Sequence, residues 1–258
     1  MIKNDFKKIT PKKLTDFYNL ELDKIIIAGP CSIESEEQLM NIAKFVKSEG
    51  ASVLRGGAFK PRTSNRDFQG LKEEGLKILA NVRKQVGIKV VTEAIDTESL
   101  ESVAQVSDII QIGSRNMQNF TLLKEAGKYN LPILLKRGMS ATIYEWIRAA
   151  EYIYESGNSD IIMCERGIRT FNDYTRNTMD IAAIPIIKKE TGLTVIADPS
   201  HGTGIRELII PMSCASIAAG ADGIIVEVHQ NPEEALSDKE QTIDFNDFHN
   251  LMKIMKKI

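Results

Sequence analysis

The feature that most constrains the fold is a set of eight short apolar runs, rich in β-branched residues, that recur along the chain. Each run is followed by a polar loop and then by a segment with the apolar spacing of an amphipathic helix. Unbroken apolar runs are typical of strands that are covered on both faces, as in a parallel sheet. The predicted strands are Ile25–Ala28, Ser52–Leu54, Lys89–Thr92, Asp108–Ile112, Pro132–Leu135, Asp160–Met163, Thr194–Ala197 and Gly223–Val226.

The amphipathic segments complete an alternating pattern of strands and helices. The predicted helices are Glu36–Ser48, Leu71–Gln85, Glu98–Ala104, Phe120–Ala126, Thr142–Glu155, Thr178–Lys189, Arg206–Ala219 and Phe245–Ile258. Eight such pairs favour an α/β fold with a single (β/α)8 TIM barrel over residues 25–258. Periodicity alone leaves a doubly wound open sheet as the alternative. Residues 1–24 are predicted to form a short N-terminal extension.

Composition limits the classes of function. The 258 residues carry a net charge of −2, which argues against nucleic-acid binding, since nucleic-acid modules usually have a basic excess. Three cysteines in a chain of this length do not make a disulfide framework and favour a reducing compartment. We find neither a signal peptide nor an apolar stretch long enough to span a membrane. The sequence therefore predicts a soluble cytoplasmic protein that binds neither nucleic acid nor membrane.

Charged or metal-binding residues follow the predicted strands. In chain order they are Cys31, Arg55, Glu93, Arg115 in GSRNMQNF, Lys136 with Arg137, Glu165 with Arg166, His201 in DPSHGTG, and Glu227. In a barrel, the carboxyl ends of the strands form one rim, which is where active sites of this fold lie. Polar loops alone would explain one or two of these residues, but not a charge beside the last apolar residue of so many strands.

Basic residues form a distinct group on this predicted rim. They are Arg55, Lys60, Arg62, Arg115, Lys136 and Arg166. Each of them alone is typical of a solvated surface charge or an ion pair. As a group in a nearly neutral protein, they predict an anionic substrate with more than one phosphate or carboxylate, because guanidinium groups bind these anions through paired hydrogen bonds.

Cys31 lies just past the first apolar run, in a turn, whereas a structural thiol normally packs inside such a run. If the barrel closes, the first and last strands are neighbours, and Cys31 meets His201, Glu227 and Asp238. A thiol, an imidazole and two carboxylates are a plausible set of ligands for a divalent metal. No CxxC or HExxH motif is present, however. The residues alone leave an inert thiol, a phosphate-binding histidine and a helix-capping aspartate as equal alternatives.

Seven motifs together resemble the 3-deoxy-D-arabino-heptulosonate 7-phosphate (DAHP) synthases, of the short type related to the 3-deoxy-D-manno-octulosonate 8-phosphate synthases. They span nearly the whole chain and read AGPCSIES, LRGGAFKPRTS, QIGSRNMQNF, LLKRGM, CERGIRTF, DPSHGTG and ADGIIVEVH with ALSD. The resemblance implies a metal-dependent aldol-type condensation of phosphoenolpyruvate with erythrose 4-phosphate and water, which releases phosphate. This is the first step of the shikimate pathway to chorismate and the aromatic amino acids.

The resemblance also implies ligands and roles. The divalent metal ion (Mn, Fe, Co or Zn) would be held by Cys31, His201, Glu227 and Asp238. Phosphoenolpyruvate would be held by Arg55, Lys60, Gly113, Ser114, Arg115, Lys136, Arg166 and His201. Erythrose 4-phosphate would be held by Lys60, Pro61, Arg62, Thr63 and Ser64. The catalytic residues would be Lys60, Cys31 and His201, with Lys60 as the candidate to protonate a developing oxyanion. A homotetramer or homodimer is expected.

The acceptor loop distinguishes the two related activities. The octulosonate synthases, which use arabinose 5-phosphate, typically have Lys-Ala-Asn-Arg-Ser at this place, whereas residues 60–64 read KPRTS. This difference favours the four-carbon aldehyde. Some short-type members carry an added N-terminal regulatory or chorismate mutase domain. The strand pattern here begins near Ile25, so we expect little feedback inhibition by aromatic amino acids.

Two other functions fit the residues. Lys136, at the end of a central strand, has the position of a Schiff-base lysine in a class I aldolase. A non-catalytic sensor of sugar phosphates would also need the basic rim. The sensor gives no reason for Cys31, His201, Glu227 and Asp238 to occur together.

Overall fold

A computed structural model of the chain describes residues 23–61, 64 and 66–258. In it, eight parallel strands close into a barrel in chain order. They are β1 (Ile25–Gly29), β2 (Val53–Arg55), β3 (Lys89–Ala94), β4 (Ile109–Ile112), β5 (Ile133–Lys136), β6 (Ile161–Glu165), β7 (Thr194–Ala197) and β8 (Gly223–Glu227). Because β1 pairs with β8 along its whole length, the barrel prediction is confirmed and the open-sheet alternative is wrong. Most of the predicted N-terminal extension lies outside the described residues.

Helices cover the outside of the barrel, and the short helix that follows β7 lies at its carboxyl end. In chain order they are α1 (Glu36–Glu49), α2 (Lys72–Val86), α3 (Thr97–Val106), α4 (Phe120–Ala126), α5 (Ile143–Glu155), α6 (Ala183–Thr191), α7 (Pro199–Thr203), α8 (Ile209–Ala218) and α9 (Phe245–Met255). Two of them, α6 and α8, begin several residues later than predicted. The segment before α6 instead bridges Thr178 to Ile168, and the segment before α8 forms a 3-10 turn at Arg206–Leu208. The short helix α7 was not predicted.

Two apolar layers stabilise the barrel. One fills its interior, with alternate residues from the strands, such as Ile25, Ile27 and Ile225. The other lies between the sheet and the helices and includes Ile26, Trp146 and Phe248, all fully buried. Side chains on a strand alternate between faces, which explains why the runs are apolar throughout. In the described part of the chain, no helix combines the length and the apolar character needed to cross a bilayer.

The strands extend further than their apolar runs. Arg55, Lys136, Glu165 and Glu227 are each the last residue of a strand, and Glu93 is the next to last in β3. All five were predicted to follow the strands rather than to belong to them. Their backbone groups take part in the strand ladder, so their side chains start from rigid positions at the carboxyl end of the barrel.

A buried ion-pair cluster lies at this rim, between the loops after β5 and β6. The Arg137 guanidinium is 3% exposed, and its Nη1 donates to Glu165 Oε2 at 2.9 Å and to Asp180 Oδ2 at 2.8 Å. Its Nε donates to the carbonyl of Ala141 at 3.1 Å. Glu165 Oε1 accepts from the backbone N–H of Gly167 at 2.7 Å. These contacts fasten the loops after β5 and β6 to each other.

We expect Arg137→Met to destabilise the fold strongly. The substitution leaves the fully buried Glu165 without its cation, and breaking a buried pair in this way costs about 3–5 kcal/mol. Because about 1 kcal/mol shifts the midpoint of a domain near this size by about 2–4 °C, thermal unfolding should begin at least about 6 °C lower. The matched control is Arg148→Met on α5, where Arg148 pairs with Glu151 nearer the surface and we expect a change below about 1 kcal/mol. Equal losses in the two variants would contradict this account.

Candidate active site

Four side chains predicted as metal ligands meet at the carboxyl end of the barrel, and we call them the acidic group: Cys31, His201, Glu227 and Asp238. Ligand atoms of Cys31, Glu227 and Asp238 all lie within 4.8 Å of one another. The imidazole Nε2 of His201 lies 3.4 Å from Glu227 Oε1 and 3.9 Å from Asp238 Oδ2. The Cys31 thiol donates to Asp238 Oδ2 at 3.1 Å. The predicted proximity is confirmed.

Barrel closure creates this group. The register between β1 and β8 places Gly29 opposite Glu227, and Cys31 follows two residues later. Gly29 has φ +151°, and a Cβ there would lie 2.2 Å from the carbonyl oxygen of Arg55, so a side chain is excluded. The turn from Gly29 to Cys31 therefore runs close against β2 and directs the thiol to the rim.

His201 is oriented by Asp198, the N-cap residue of α7. Asp198 Oδ1 accepts a hydrogen bond from the backbone N–H of His201 at 3.0 Å. Asp198 Oδ2 lies 2.8 Å from His201 Nδ1. The carboxylate thus fixes the backbone by a hydrogen bond and holds the ring by a close contact, in which Nδ1 and Oδ2 are not aligned for a hydrogen bond. Nε2 is left directed at Glu227 and Asp238.

Burial and neighbouring charges set the protonation of the acidic group. Burial, with the charge of Glu227 adding to it, raises the pKa of the Cys31 thiol to about 12. Burial also lowers the pKa of His201, so its imidazole is neutral at pH 7. Burial alone would raise the pKa of Glu227 and of Asp238, but nearby cationic groups outweigh it and both pKa values are lowered. Two carboxylates are therefore ionised while the thiol still holds its proton.

The acidic group suits a divalent metal ion. Glu227 is fully buried, and its Oε1 accepts no hydrogen bond from the described residues, although Arg55 Nη2 lies 3.1 Å away. A buried carboxylate oxygen without a hydrogen bond is unfavourable unless a cation binds it. Sulfur, nitrogen and oxygen donors together match the ligand preferences of Zn and of other divalent first-row metals.

A cavity of about 250 Å³ opens beside the acidic group. All eight residues predicted for phosphoenolpyruvate line it, namely Arg55, Lys60, Gly113, Ser114, Arg115, Lys136, Arg166 and His201. Among the described residues that line it, six are lysines or arginines: five of those just named and Arg176. Three are carboxylates, namely Asp67, Glu93 and Asp238. We call it the anion cavity, because this excess of positive charge favours a multiply charged anion.

Two guanidinium groups of the anion cavity lack a full set of ion-pair or hydrogen-bond partners. Arg166 is 4% exposed, and no carboxylate of the described residues lies within salt-bridge distance of it. Burial lowers the pKa of Arg166, which reflects the unfavourable desolvation of its charge. Arg55 Nη1 is buried and has no hydrogen-bond partner among the described residues. A buried cation without a carboxylate partner, as at Arg166, is unfavourable, and so is a buried donor without an acceptor, as at Arg55 Nη1. Both groups therefore favour an anion in the cavity.

Glu93 and Gly113 pack against each other on the wall of the cavity. Gln111 Nε2 donates to Glu93 Oε2 at 2.9 Å, which fixes the carboxylate. A Cβ at Gly113 would lie 2.0 Å from Glu93 Oε1, so a larger residue there would displace this carboxylate. The glycine that sequence analysis assigned to substrate contact thus also keeps Glu93 in its place on the cavity wall.

The acceptor loop is described in part. Lys60 and Pro61 line the anion cavity, and Lys60 Nζ donates to Cys31 Sγ at 2.9 Å. Ser64 is not among the residues that line the cavity, and its Oγ accepts from the backbone N–H of Arg66 at 3.2 Å. The predictions for Arg62 and Thr63 lie outside the described residues.

Sequence reasoning assigned no role to four residues that the structure places at the site: Asp198, Arg176, Gln241 and Asp67. Asp198 contacts His201 and Lys136. Gln241 donates to Glu227 Oε2 at 2.6 Å and accepts from Arg176 Nη1 at 2.9 Å. Asp198 lies within the motif DPSHGTG, so the sequence did indicate that it is near the site. Arg176 lies in a loop and Gln241 ends a 3-10 turn at Lys239–Gln241, so only the closed barrel shows their proximity.

The fold and site together define a (β/α)8-barrel enzyme with an anion cavity beside a group of metal-binding side chains. Comparisons with known proteins agree, and residues 19–258 match the DAHP synthetase I family. A phospho-2-dehydro-3-deoxyheptonate aldolase of Thermotoga maritima is 58% identical over 233 residues, which are 90% of this chain and 69% of that protein. The chain belongs to the DAHP synthetase I family. It is accordingly an enzyme of the DAHP synthase type, which performs the condensation step of the shikimate pathway.

Solved structures and more distant relatives support this placement. The crystal structure of a Thermotoga maritima DAHP synthase superposes with a TM-score of 0.88 at 56% identity, covering 91% of this chain and 68% of that one. A truncated form of the 3-deoxy-D-arabino-heptulosonate 7-phosphate synthase from Thermotoga maritima gives a TM-score of 0.84 at 54% identity, covering 91% and 86%. A 2-dehydro-3-deoxyphosphooctonate aldolase of Geobacter sulfurreducens is 32% identical over 91% of this chain and 92% of its own length. The predicted relation to the octulosonate synthases is confirmed.

Proposed function

We propose that this chain condenses phosphoenolpyruvate with erythrose 4-phosphate and water to give DAHP and phosphate, with a divalent metal ion in the acidic group. The observation that carries the proposal is the excess of basic residues that line the anion cavity, above all the buried guanidinium of Arg166, which forms no ion pair with a described carboxylate. An anion with a phosphate and a carboxylate supplies the charge that these groups lack. Family membership supports the same reaction class.

Phosphoenolpyruvate is assigned to the inner part of the anion cavity. Lys136 and Arg166 lie on neighbouring strand ends, since Lys136 of β5 pairs in register with Cys164 of β6. Arg115 and the backbone of Gly113 and Ser114 approach from the loop after β4. Paired guanidinium hydrogen bonds and the lysine charge hold the phosphate and the carboxylate in one orientation.

The aldose phosphate is assigned to the loop that begins at Lys60 and Pro61, with Arg62, Thr63 and Ser64 binding its phosphate group. Support comes from the KPRTS sequence and from the position of Lys60 and Pro61 on the wall of the anion cavity. This assignment places the aldehyde between the inner cavity and the acidic group. Arabinose 5-phosphate is the competing acceptor, and the loop sequence disfavours it.

The metal ion is assigned to Cys31, His201, Glu227 and Asp238, and when bound it would act as a Lewis acid toward the aldehyde oxygen. The chain's own groups perform the other tasks. C3 of phosphoenolpyruvate forms a bond to the aldehyde carbon, water adds to C2, and the C2–O bond to phosphate breaks. Lys60 Nζ lies 2.9 Å from Cys31 Sγ and is placed to give a proton to the oxygen of the former aldehyde.

Metal binding is expected to release a proton from Cys31. Its pKa of about 12 in the metal-free chain means that the thiol is protonated at neutral pH, whereas a metal binds the thiolate. The other three ligands are already in their binding forms, so apparent affinity for Co²⁺ should rise about tenfold per pH unit between about pH 6 and pH 8. Titrations in several buffers would measure the proton release. A pH-independent affinity would contradict a thiolate ligand.

The proposed reaction is tested by phosphate release. The purified chain is incubated with phosphoenolpyruvate and either erythrose 4-phosphate or arabinose 5-phosphate, each with and without EDTA. We expect release with the four-carbon sugar only, abolished by EDTA and restored by added metal. Turnover with the five-carbon sugar alone would overturn the substrate assignment, and full turnover in EDTA would overturn the metal.

The same assay separates the two alternatives. A class I aldolase would be trapped at Lys136 by borohydride in the presence of substrate and would tolerate EDTA. A sensor would bind phosphoenolpyruvate and release no phosphate. In this structure Lys136 Nζ forms a 2.5 Å ion pair with Asp198, so the lysine is engaged with a carboxylate rather than free to attack a carbonyl. Cytoplasmic location stays a prediction from the composition, and a homotetramer or homodimer stays a prediction from the family resemblance.

A further inference from the structure

Asp198 contacts both halves of the site, the anion cavity and the acidic group. It is fully buried, at the carboxyl end of β7. Its Oδ2 accepts a hydrogen bond from Lys136 Nζ at 2.5 Å and lies 2.8 Å from His201 Nδ1. Lys136 lines the anion cavity, whereas His201 Nε2 faces Glu227 and Asp238. One carboxylate oxygen is thus shared between a residue assigned to the substrate and a residue assigned to the metal.

We propose that Asp198 is a positioning residue that couples the two halves, so that phosphoenolpyruvate and the metal ion each increase the affinity of the chain for the other. This inference rests on the proposed function, because it takes the metal to be bound at the acidic group and phosphoenolpyruvate in the anion cavity. Neither the binding of phosphoenolpyruvate nor the binding of the metal requires this coupling, so it is an additional role of Asp198.

Competition for Asp198 Oδ2 gives the coupling its direction. An anion beside Lys136 attracts the ammonium, so His201 becomes the main partner of the carboxylate. A carboxylate bonded to the Nδ1–H of an imidazole makes Nε2 a stronger metal ligand. Conversely, a cation at Nε2 makes Nδ1–H a better donor to Asp198, which frees Lys136 to bind an anion. Both effects have the same sign, so the coupling is positive.

A second connection runs through Arg55, whose Nη2 lies 3.1 Å from Glu227 Oε1. Arg55 also lines the anion cavity, so its substitution removes a substrate contact together with any coupling. Asp198 offers a cleaner test, because its side chain lies behind Lys136 and His201. Thermodynamic linkage requires both ligands to show the same coupling factor, typically about 5–150-fold.

The experiment measures binding rather than turnover. Co²⁺ is titrated into the metal-free chain and followed by its thiolate charge-transfer absorption, with and without saturating phosphoenolpyruvate. Phosphoenolpyruvate is then titrated with and without Co²⁺. The test variant is Asp198→Asn, which keeps an acceptor for the N-cap of α7 but removes the charge. The matched control is Asp108→Asn, which makes the same change at the opposite end of the barrel, where Asp108 pairs with Arg83.

We expect phosphoenolpyruvate to increase the Co²⁺ affinity of the unmutated chain and of Asp108→Asn by at least about fivefold. In Asp198→Asn the factor should fall below about twofold, and Co²⁺ affinity without phosphoenolpyruvate should fall by about 10–100-fold. If Asp198→Asn does not fold, Asp198→Ser, which also supplies an N-cap side chain, provides the same comparison.

The outcomes separate this inference from the proposed function. An unchanged coupling factor in Asp198→Asn, or no coupling in an unmutated chain that binds both ligands, overturns the role of Asp198 alone. An unmutated chain that binds no Co²⁺ or no phosphoenolpyruvate overturns the proposed function and the coupling with it. Coupling that is present in the control and lost in Asp198→Asn supports both.

Discussion

Cys31→Ala is expected to reduce kcat/KM by about 10³-fold at limiting metal, since Lewis-acid stabilisation contributes several kcal/mol to such reactions. The substitution removes the sulfur from a group whose other members lie within a few ångströms of it. Affinity for Co²⁺ should fall as well, and its charge-transfer absorption should disappear. Binding of phosphoenolpyruvate should persist, because the residues assigned to it are still present around the anion cavity.

The matched control is Cys214→Ala. Cys214 lies on α8, half-buried and away from the residues that line the anion cavity, so the same chemical change there should leave kcat/KM and Co²⁺ affinity unaltered. Normal turnover of Cys31→Ala in rigorously demetallated buffer would contradict the assigned metal site. Equal losses in the two variants would indicate that thiol removal acts through stability.

The barrel was predictable because each strand is covered on both faces. Runs such as Ile25–Ala28 can be recognised as strands from the sequence alone, since every position in them is apolar. The strand ends were placed too early where a charged residue closes the strand. Arg55, Lys136 and Glu227 continue the strand hydrogen bonding, although their charges are typical of a loop. Charged residues can end these strands because their side chains form ion pairs at the carboxyl end of the barrel or lie where a ligand is expected to bind.

In the candidate site, only residues that belong to a recognisable motif were predictable. The closure of β1 on β8 brings Cys31 to Glu227, and a sequence pattern indicates this once a barrel is assumed. The sharing of Asp198 between Lys136 and His201 depends on the ends of two strands, β5 and β7, and on the short helix α7. The contact with His201 is local, three residues along the chain, but no local pattern encodes the contact with Lys136, because a contact between distant strand ends follows from barrel geometry rather than from spacing along the chain.

Arg166→Met is expected to separate activity from stability. Truncating a buried charge that binds a substrate anion costs about 2–5 kcal/mol, so kcat/KM for phosphoenolpyruvate should fall by about 10²–10³-fold. The ligand-free chain should become more stable, since no described carboxylate pairs with Arg166 and its burial is unfavourable. A gain of about 1 kcal/mol corresponds to a rise of about 2–4 °C in unfolding temperature.

The contrast with Arg137 makes this prediction specific. Both guanidinium groups are buried at the same rim, but Arg137 contacts two carboxylates and Arg166 contacts none of the described ones. Thermal unfolding of Arg137→Met and Arg166→Met, each with and without phosphoenolpyruvate, measures the difference. Phosphoenolpyruvate should stabilise the unmutated chain and have little effect on Arg166→Met, because a ligand stabilises only the protein that binds it. If Arg166→Met loses stability as Arg137→Met does, Arg166 is a structural residue, and the positive charge of the cavity no longer indicates a bound anion.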